Sequence, residues 1–260
     1  MYDAGGGYKW LGVAEGARAL GWCLVKWDDY DAALFDLDGV LTPTAEVHMR
    51  AWARMFTDYL AEHSDQRPYT DQDYFDFVDG KPRYEGVQSF LHSRGIELPY
   101  GDPSDEPDEL SVCGLGNRKN ALFTTVLAQG GIAPYPGSVQ LLNHLELIGV
   151  GMAVVSSSKN APDVLATAGI ADRFEVVVHG GIAADKGLPG KPRHDTYTYA
   201  AQQLGIETTR CVVFEDALSG VQAGAAGDFG LVVGVDRGAG VEELTANGAD
   251  LVVADLAELI

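Results

Sequence analysis

Ala33-Leu34-Phe35-Asp36-Leu37-Asp38-Gly39-Val40-Leu41-Thr42 is the stretch of this 260-residue chain that decides its architecture. A short apolar run ends in two aspartates separated by one residue, followed at once by glycine. In an extended backbone, residues two apart face the same way. A strand over 32–37 therefore delivers both carboxylates toward one spot, and Gly39 lets the chain turn away there. Two carboxylates at the carboxyl end of a buried strand are hard oxygen ligands for a divalent cation, with Mg²⁺ the default. A carboxylate beside such an ion can also act as a covalent nucleophile toward phosphorus. Taken alone, the segment also allows a plainer, less favoured reading, a strand that ends in a solvated, Asp-rich turn.

Working outward, the texture after Pro134 is strand–helix alternation. Apolar strands are predicted at 151–156, 174–179, 211–215, 230–235 and 250–253, with helices at 138–148, 161–168, 194–204 and 219–226. Such alternation implies a parallel sheet covered on both faces. The first strand belongs chemically to this sheet but is separated from it by helical sequence. Residues 45–60 carry an apolar stripe of Val47, Trp52, Met55, Phe56 and Tyr59. Residues 61–132 stay helix-like and polar, apart from an acidic, proline-rich loop at 98–107. The fold class expected is α/β: a Rossmann-like doubly wound parallel sheet core (31–44 and 133–260) with an inserted helical cap domain (45–132). Residues 1–30 form an N-terminal extension, a glycine run followed by a partly helical, tryptophan-rich pattern. It is open to packing on the body, to self-association or to an over-extended translation start.

Composition narrows the function classes. A formal net charge of −20 argues against nucleic acid, whose phosphates require Lys and Arg, and against an anionic membrane surface. An anionic substrate would need the few basic residues concentrated where it binds. Cys23, Cys113 and Cys211 are scattered and odd in number, making neither a disulfide framework nor a zinc set, and fit a reducing cytosol. No apolar run is long enough to span a bilayer, and the first residues lack the features of a signal peptide. The expectation is a cytoplasmic protein, a monomer unless residues 1–30 mediate self-association.

In open parallel sheets, functional groups gather outside the carboxyl ends of the strands. Reading those ends gives Asp36 and Asp38, then Ser156-Ser157-Ser158-Lys159-Asn160, then Glu215-Asp216, with Gly190-Lys191-Pro192 ahead of the 194–204 helix. Carboxylates for a metal, hydroxyls and N–H groups at a helix start, and a lysine together suit a phosphoryl group with Mg²⁺. Each alone has a plainer reading: the serines as a helix N-cap cluster, Lys191-Pro192 as a turn, Glu215-Asp216 as an acidic pair on a helix dipole. Their order, each at the end of a successive strand, is what the plain readings leave unexplained. Competing motifs fail. Gly190-Lys191 is followed by Pro192 rather than Ser or Thr, so it is no P-loop. Gly114-Leu115-Gly116-Asn117-Arg118-Lys119 puts lysine where a dinucleotide fingerprint needs glycine. No Gly-x-Ser-x-Gly elbow is present.

Asp36-x-Asp38-Gly-Val, Ser156, Lys191-Pro192 and Glu215-Asp216 resemble the four ordered motifs of the haloacid dehalogenase-like phosphotransferases, over nearly everything from Asp31 onward. The resemblance implies that Asp36 is the nucleophile that carries an aspartyl-phosphate and that Asp38 is the general acid/base, its backbone carbonyl on Mg²⁺. It implies that Asp216 ligates Mg²⁺ with support from Glu215, and that Ser156 and Lys191 hold the phosphoryl oxygens. Ser157 and Asn160 join the phosphate-binding set.

A narrower resemblance is to the β-phosphoglucomutase family, through Thr42-Pro43-Thr44-Ala45-Glu46-Val47-His48-Met49-Arg50-Ala51-Trp52 and the Ser158-Lys159-Asn160 ending of the second motif. It places a hinge threonine at Thr44, a histidine that bonds the acid/base at His48, a distal-phosphate arginine at Arg83 and a cap lysine at Lys119. Ser158 and Lys159 complete the substrate-binding set. Without the family match, His48, Arg83 and Lys119 read as helix-face or surface groups. The activity implied is Mg²⁺-dependent interconversion of β-D-glucose 1-phosphate and glucose 6-phosphate through glucose 1,6-bisphosphate, so the partner expected is a small sugar phosphate. A sugar-phosphate phosphatase built on the same core, and a non-catalytic regulatory module, are the alternatives. The sequence departs from the pattern in residues 1–30, in the loop near 99–113 and in the longer run 185–189.

Overall fold

The computed structural model describes residues 25–62, 66–130 and 132–260. Residues 1–24, which hold most of the expected extension, lie outside the described residues. Six strands form one sheet: β1 (Ala32–Phe35), β2 (Gly151–Val155), β3 (Val176–Val178), β4 (Cys211–Glu215), β5 (Leu231–Val235) and β6 (Leu251–Val253). Their order is β3-β2-β1-β4-β5-β6, and every neighbouring pair is parallel. The fold is α/β and doubly wound, as the strand pattern predicts. The first strand lies in the middle of the sheet; the chain then steps outward on one side through β2 and β3 and crosses to β4 on the other. Strand order thus reverses between β1 and β4, which opens a crevice outside their carboxyl ends.

The two faces of the sheet read out the period of two in the strands. Ala33, Phe35, Met152, Val154, Val212 and Phe214 share one buried cluster with Leu141, Leu142 and Leu145 of helix α5 (Pro136–Ile148). Ala32, Leu34, Ala153, Val155, Cys211 and Val213 share another with Tyr197, Ala200 and Ala201 of helix α8 (Asp195–Leu204). Both faces of β1 are buried, which is why it reads as a continuous apolar run.

Among the described residues, four helices precede α5 in the segment between β1 and β2: α1 (Thr44–Leu60), α2 (Asp71–Phe77), α3 (Arg83–Ser93) and α4 (Val112–Gly130). They bury their own apolar cluster of Trp52, Met55, Phe56, Phe90 and Leu115, separate from the sheet clusters. The remaining α-helices are α6 (Ala161–Thr167), α7 (Gly180–Lys186), α9 (Leu218–Ala226) and α10 (Val241–Ala246).

Two features differ from the sequence expectation, and a third bears on a point it leaves open. Strands β3 and β6 are shorter than 174–179 and 250–253, because each is a sheet edge paired on one side only. Helices α7 and α10 were not anticipated. α7 opens on two glycines, poor helix formers, and exists because the His179 side chain accepts from the Gly181 N–H and Gly187 closes it in the left-handed region. Finally, the described end of residues 1–30 packs on the sheet domain. Trp27 is buried, stacks on Phe214 with ring centroids 6.4 Å apart, and donates from Nε1 to Leu259 O at 3.1 Å.

Candidate active site

The turn after β1 sets the position of both aspartates. Gly39 N–H donates to Thr42 O at 2.7 Å, and the N–H groups of Leu41 and Thr42 both donate to Leu37 O. Gly39 has φ +88°, and a Cβ there would sit 1.8 Å from Asp216 Oδ2, so both the turn and the close approach of Asp216 require glycine. Arg237 donates to Gly39 O at 2.8 Å and lies over the Tyr135 ring at 4.0 Å, which fixes the turn from behind.

Asp36, Glu215 and Asp216 converge from the ends of β1 and β4, with carboxylate oxygens within 4.8 Å of one another. Lys191 bridges them. Its Nζ lies 2.5 Å from Asp36 Oδ1 and 2.5 Å from Glu215 Oε1, and donates to Val155 O at 3.0 Å. The Tyr197 hydroxyl donates to Glu215 Oε1 at 2.7 Å. Burial opposes the Lys191 charge, but the two carboxylates outweigh it and hold the ammonium above its ordinary range. Burial, reinforced by the neighbouring carboxylates, pushes Asp216 well up.

The Asp38 side chain lines the same cavity but is held by other groups. Its Oδ1 accepts from Thr44 Oγ1, which also meets Thr42 Oγ1 at 2.8 Å, and His48 Nε2 lies 3.4 Å from it without a hydrogen bond. His48 Nδ1 contacts Lys119 Nζ, and the imidazole stacks on Phe123 at 4.0 Å. Burial opposes ionisation of Asp38, but His48, Thr44 and Lys119 outweigh it and hold the carboxyl below its usual value. Lys119 lies between the rings of Trp52 and Phe123, at 4.9 and 5.1 Å. Burial, and after it the Arg83 charge, pulls its ammonium down to about 7.

The loop after β2 reaches the helical block. Ser156 Oγ accepts from the Ser158 N–H and Ser158 Oγ from the Asn160 N–H, each at 3.1 Å, so these hydroxyls also shape the loop. Ser157 Oγ donates to Gly80 O at 2.7 Å. Asn160 Nδ2 donates to Asn120 Oδ1 at 2.7 Å, and Arg83 Nη2 donates to the same oxygen at 2.7 Å. Lys159 Nζ lies 5.7 Å from the Tyr84 ring centre. One cavity is lined from the sheet side by Asp36, Asp38, Glu215 and Asp216 and from the helical block by His48, Arg83 and Lys119. Ser157, Ser158, Lys159 and Asn160 also line it. Ser156 and Lys191 stand just behind that wall, both buried, and Thr44 is buried beneath Asp38.

A protein-family model matches residues 30–228, and its description is a haloacid dehalogenase-like hydrolase. The chain belongs to that family. Over 239 residues it is 47% identical to the β-phosphoglucomutase of Mycobacterium bovis, covering 88% of this chain and 91% of the relative. It is 28% identical over 202 residues to the fructose-1-phosphate phosphatase YqaB of Escherichia coli, covering 77% of this chain and 94% of that one. The crystal structure of β-phosphoglucomutase from Clostridium difficile superposes with a TM-score of 0.72 at 24% identity, over 89% of this chain and 93% of that one, a likeness of fold.

Within this haloacid dehalogenase-like framework, the Asp36, Glu215 and Asp216 set fits a hard divalent cation: three carboxylates in reach of one point, at a glycine that leaves room for Asp216. The Asp38 carboxylate lies outside that set. Cavity residues given no functional role by the sequence include Trp52, Tyr74, Asp79 and Lys81. Asn120, beside the expected Lys119, also had none. Trp52 and Tyr74 look like core aromatics in sequence. Asp79 precedes a glycine at φ +69° and so reads as a turn residue; burial pushes its carboxyl up to about 6.

Proposed function

We propose that this protein is a Mg²⁺-dependent phosphoglycosyl mutase that interconverts β-D-glucose 1-phosphate and glucose 6-phosphate, with glucose 1,6-bisphosphate as intermediate and activator. The observation that carries this reading is the cavity's two-ended charge. Lys191 stands behind the wall among the carboxylates of the sheet end, and Arg83 and Lys119 line the helical end. A monophosphate needs only the first; a bisphosphate that reverses between half-reactions needs both. The 47% identical relative named β-phosphoglucomutase supports the same reading.

Asp36 is the nucleophile. One of its carboxylate oxygens bonds to phosphorus as the P–O bond to the sugar breaks, and the reverse step returns the phosphoryl group to a sugar hydroxyl. A bound Mg²⁺, held by Asp36, Glu215, Asp216 and the Asp38 backbone carbonyl, would offset the negative charge shared by the carboxylate and phosphoryl oxygens. Lys191, Ser156, Ser157 and Asn160 hold those oxygens for in-line transfer. Asp38, kept ionised by its neighbours, is in the base form suited to accept the proton of the attacking sugar hydroxyl. In the reverse direction it returns that proton to the departing sugar oxygen. Thr44 and His48 orient it. Arg83 grips the distal phosphate as a fork, Lys119 and Lys159 add point charges, and Ser158 keeps their loop in place. The helical block acts as a cap that excludes water, which would otherwise hydrolyse the phosphorylated aspartate.

A paired assay tests this. Purified protein with Mg²⁺, β-glucose 1-phosphate and a trace of glucose 1,6-bisphosphate is followed for glucose 6-phosphate and inorganic phosphate together. Glucose 6-phosphate rising far faster than phosphate supports the mutase. Phosphate release with little isomerised product would instead establish a phosphatase, the activity named for the Escherichia coli relative.

A further inference from the structure

Asp79 is the one carboxylate of the cavity wall that neither the metal-fitting set nor the acid/base network uses. The Tyr74 hydroxyl and the Gly80 N–H lie close enough to favour its charged form, against the burial that pushes the carboxyl up. Its backbone is clamped to the sheet domain: Ser219 Oγ donates to Asp79 O at 3.2 Å, and Ser157 Oγ donates to Gly80 O at 2.7 Å. A Cβ at Gly80 would sit 2.1 Å from Ser219 Oγ, so only glycine allows this approach. Among the described residues, no Lys, Arg or His pairs with the Asp79 carboxylate within ion-pair distance. A carboxylate has about four acceptor positions, more than these two neighbours can fill, so acceptor capacity is left for a ligand.

We propose that Asp79 is a specificity-determining residue that accepts hydrogen bonds from ring hydroxyls of the substrate and keeps phosphate groups away from its side of the cavity. The proposal rests on the sugar-phosphate reading above and adds which part of the substrate faces which wall. A phosphomonoester dianion presents acceptors only, and any phosphate dianion is repelled by a carboxylate in a partly desolvated cavity. A sugar ring presents hydroxyl donors. Lys191, Arg83 and Lys119 already supply the cations for phosphate at the two ends, and the neutral, donor-rich body of the substrate is what remains for Asp79. A site built to bond a hydroxyl also rejects ligands that lack it, because the buried acceptor is then left unsatisfied.

The test is calorimetric titration of the full chain with glucose 6-phosphate and with inorganic phosphate, at two Mg²⁺ concentrations, for the wild type, Asp79→Asn and Asp79→Ala. The proposal expects opposite signs. Glucose 6-phosphate binding weakens about tenfold or more as a charge-assisted bond is lost, while inorganic phosphate binds more tightly because a repelling charge has gone. A misfolded variant would lose both ligands, so it cannot imitate this result. Movement of both ligands in the same direction, or unaltered glucose 6-phosphate binding, would overturn the assignment. So would an effect that vanishes at saturating Mg²⁺, which would place Asp79 behind the metal. Failure of the sugar-phosphate reading would show separately, as a wild type that binds phosphate but no hexose phosphate.

Discussion

Asn160, at the end of the loop after β2, donates from Nδ2 to Oδ1 of Asn120 on helix α4 at 2.7 Å, and Arg83 donates to the same oxygen. One amide oxygen thus ties the helical block to the sheet domain and holds the arginine proposed to grip the distal phosphate. Asn120→Ala removes the acceptor from both donors. A hydrogen bond to a charged group contributes about 1.5–3 kcal/mol, so kcat/KM for the glucose phosphates is expected to fall roughly tenfold, mostly through KM. Steady-state kinetics checks this. Unchanged KM would remove Asn120 from the closure contact.

Lys191 is 2% exposed and pairs with two buried carboxylates. Lys191→Met leaves both uncompensated. Removing one partner of a buried ion pair costs about 3–5 kcal/mol, and the variant is expected to lose stability on that scale in urea unfolding. Millimolar Mg²⁺ should return part of the loss, because the same carboxylates form the metal-fitting cluster. Equal deficits with and without Mg²⁺ would count against a metal there.

Lys119 gives a pH signature. Its ammonium falls from 10.5 to about 7 in the folded protein. Between those values the unfolded chain holds the extra proton, so this residue makes stability rise with pH across that window. Below about 7 both states are protonated and the full penalty of the buried charge applies. Lys119→Met is therefore expected to be more stable than the wild type at about pH 6 and to lose that advantage toward about pH 10, as read from urea midpoints. A wild-type advantage at about pH 6 would show that the lysine is not strained.

Trp27 precedes the first strand yet packs against Phe214 in the centre of the sheet. Trp27→Ala opens a cavity and removes the Nε1–H bond to Leu259 O, which should cost about 3–5 kcal/mol. Thermal denaturation would show a clear fall in Tm. A change of less than one degree would mean that the segment only rests on the domain.

Much of this was legible in the sequence because it depends on local period. The six strands, their parallel class and the gathering of Asp36, Ser156, Lys191, Glu215 and Asp216 at the carboxyl side follow from apolar runs broken at regular intervals. Helix α7 was not legible, since two glycines hide a helix whose stability comes from a side-chain cap. Nor was the short reach of β3 and β6, which depends on having a neighbour on one side only.

The sequence by itself determined the sheet and the carboxylate ends of its central strands, because alternation and the Asp-x-Asp-Gly turn are properties of consecutive residues. Only the tertiary structure decided which side chains meet over them. Asp38 turns from the metal-fitting cluster toward Thr44 and His48, Asn120 meets Arg83 and Asn160, and Asp79 stands in the cavity wall. These groups come from segments tens of residues apart, and no local period encodes such a meeting. It is set by how the helical block packs against the sheet, where a donor, an acceptor and the room for both must coincide.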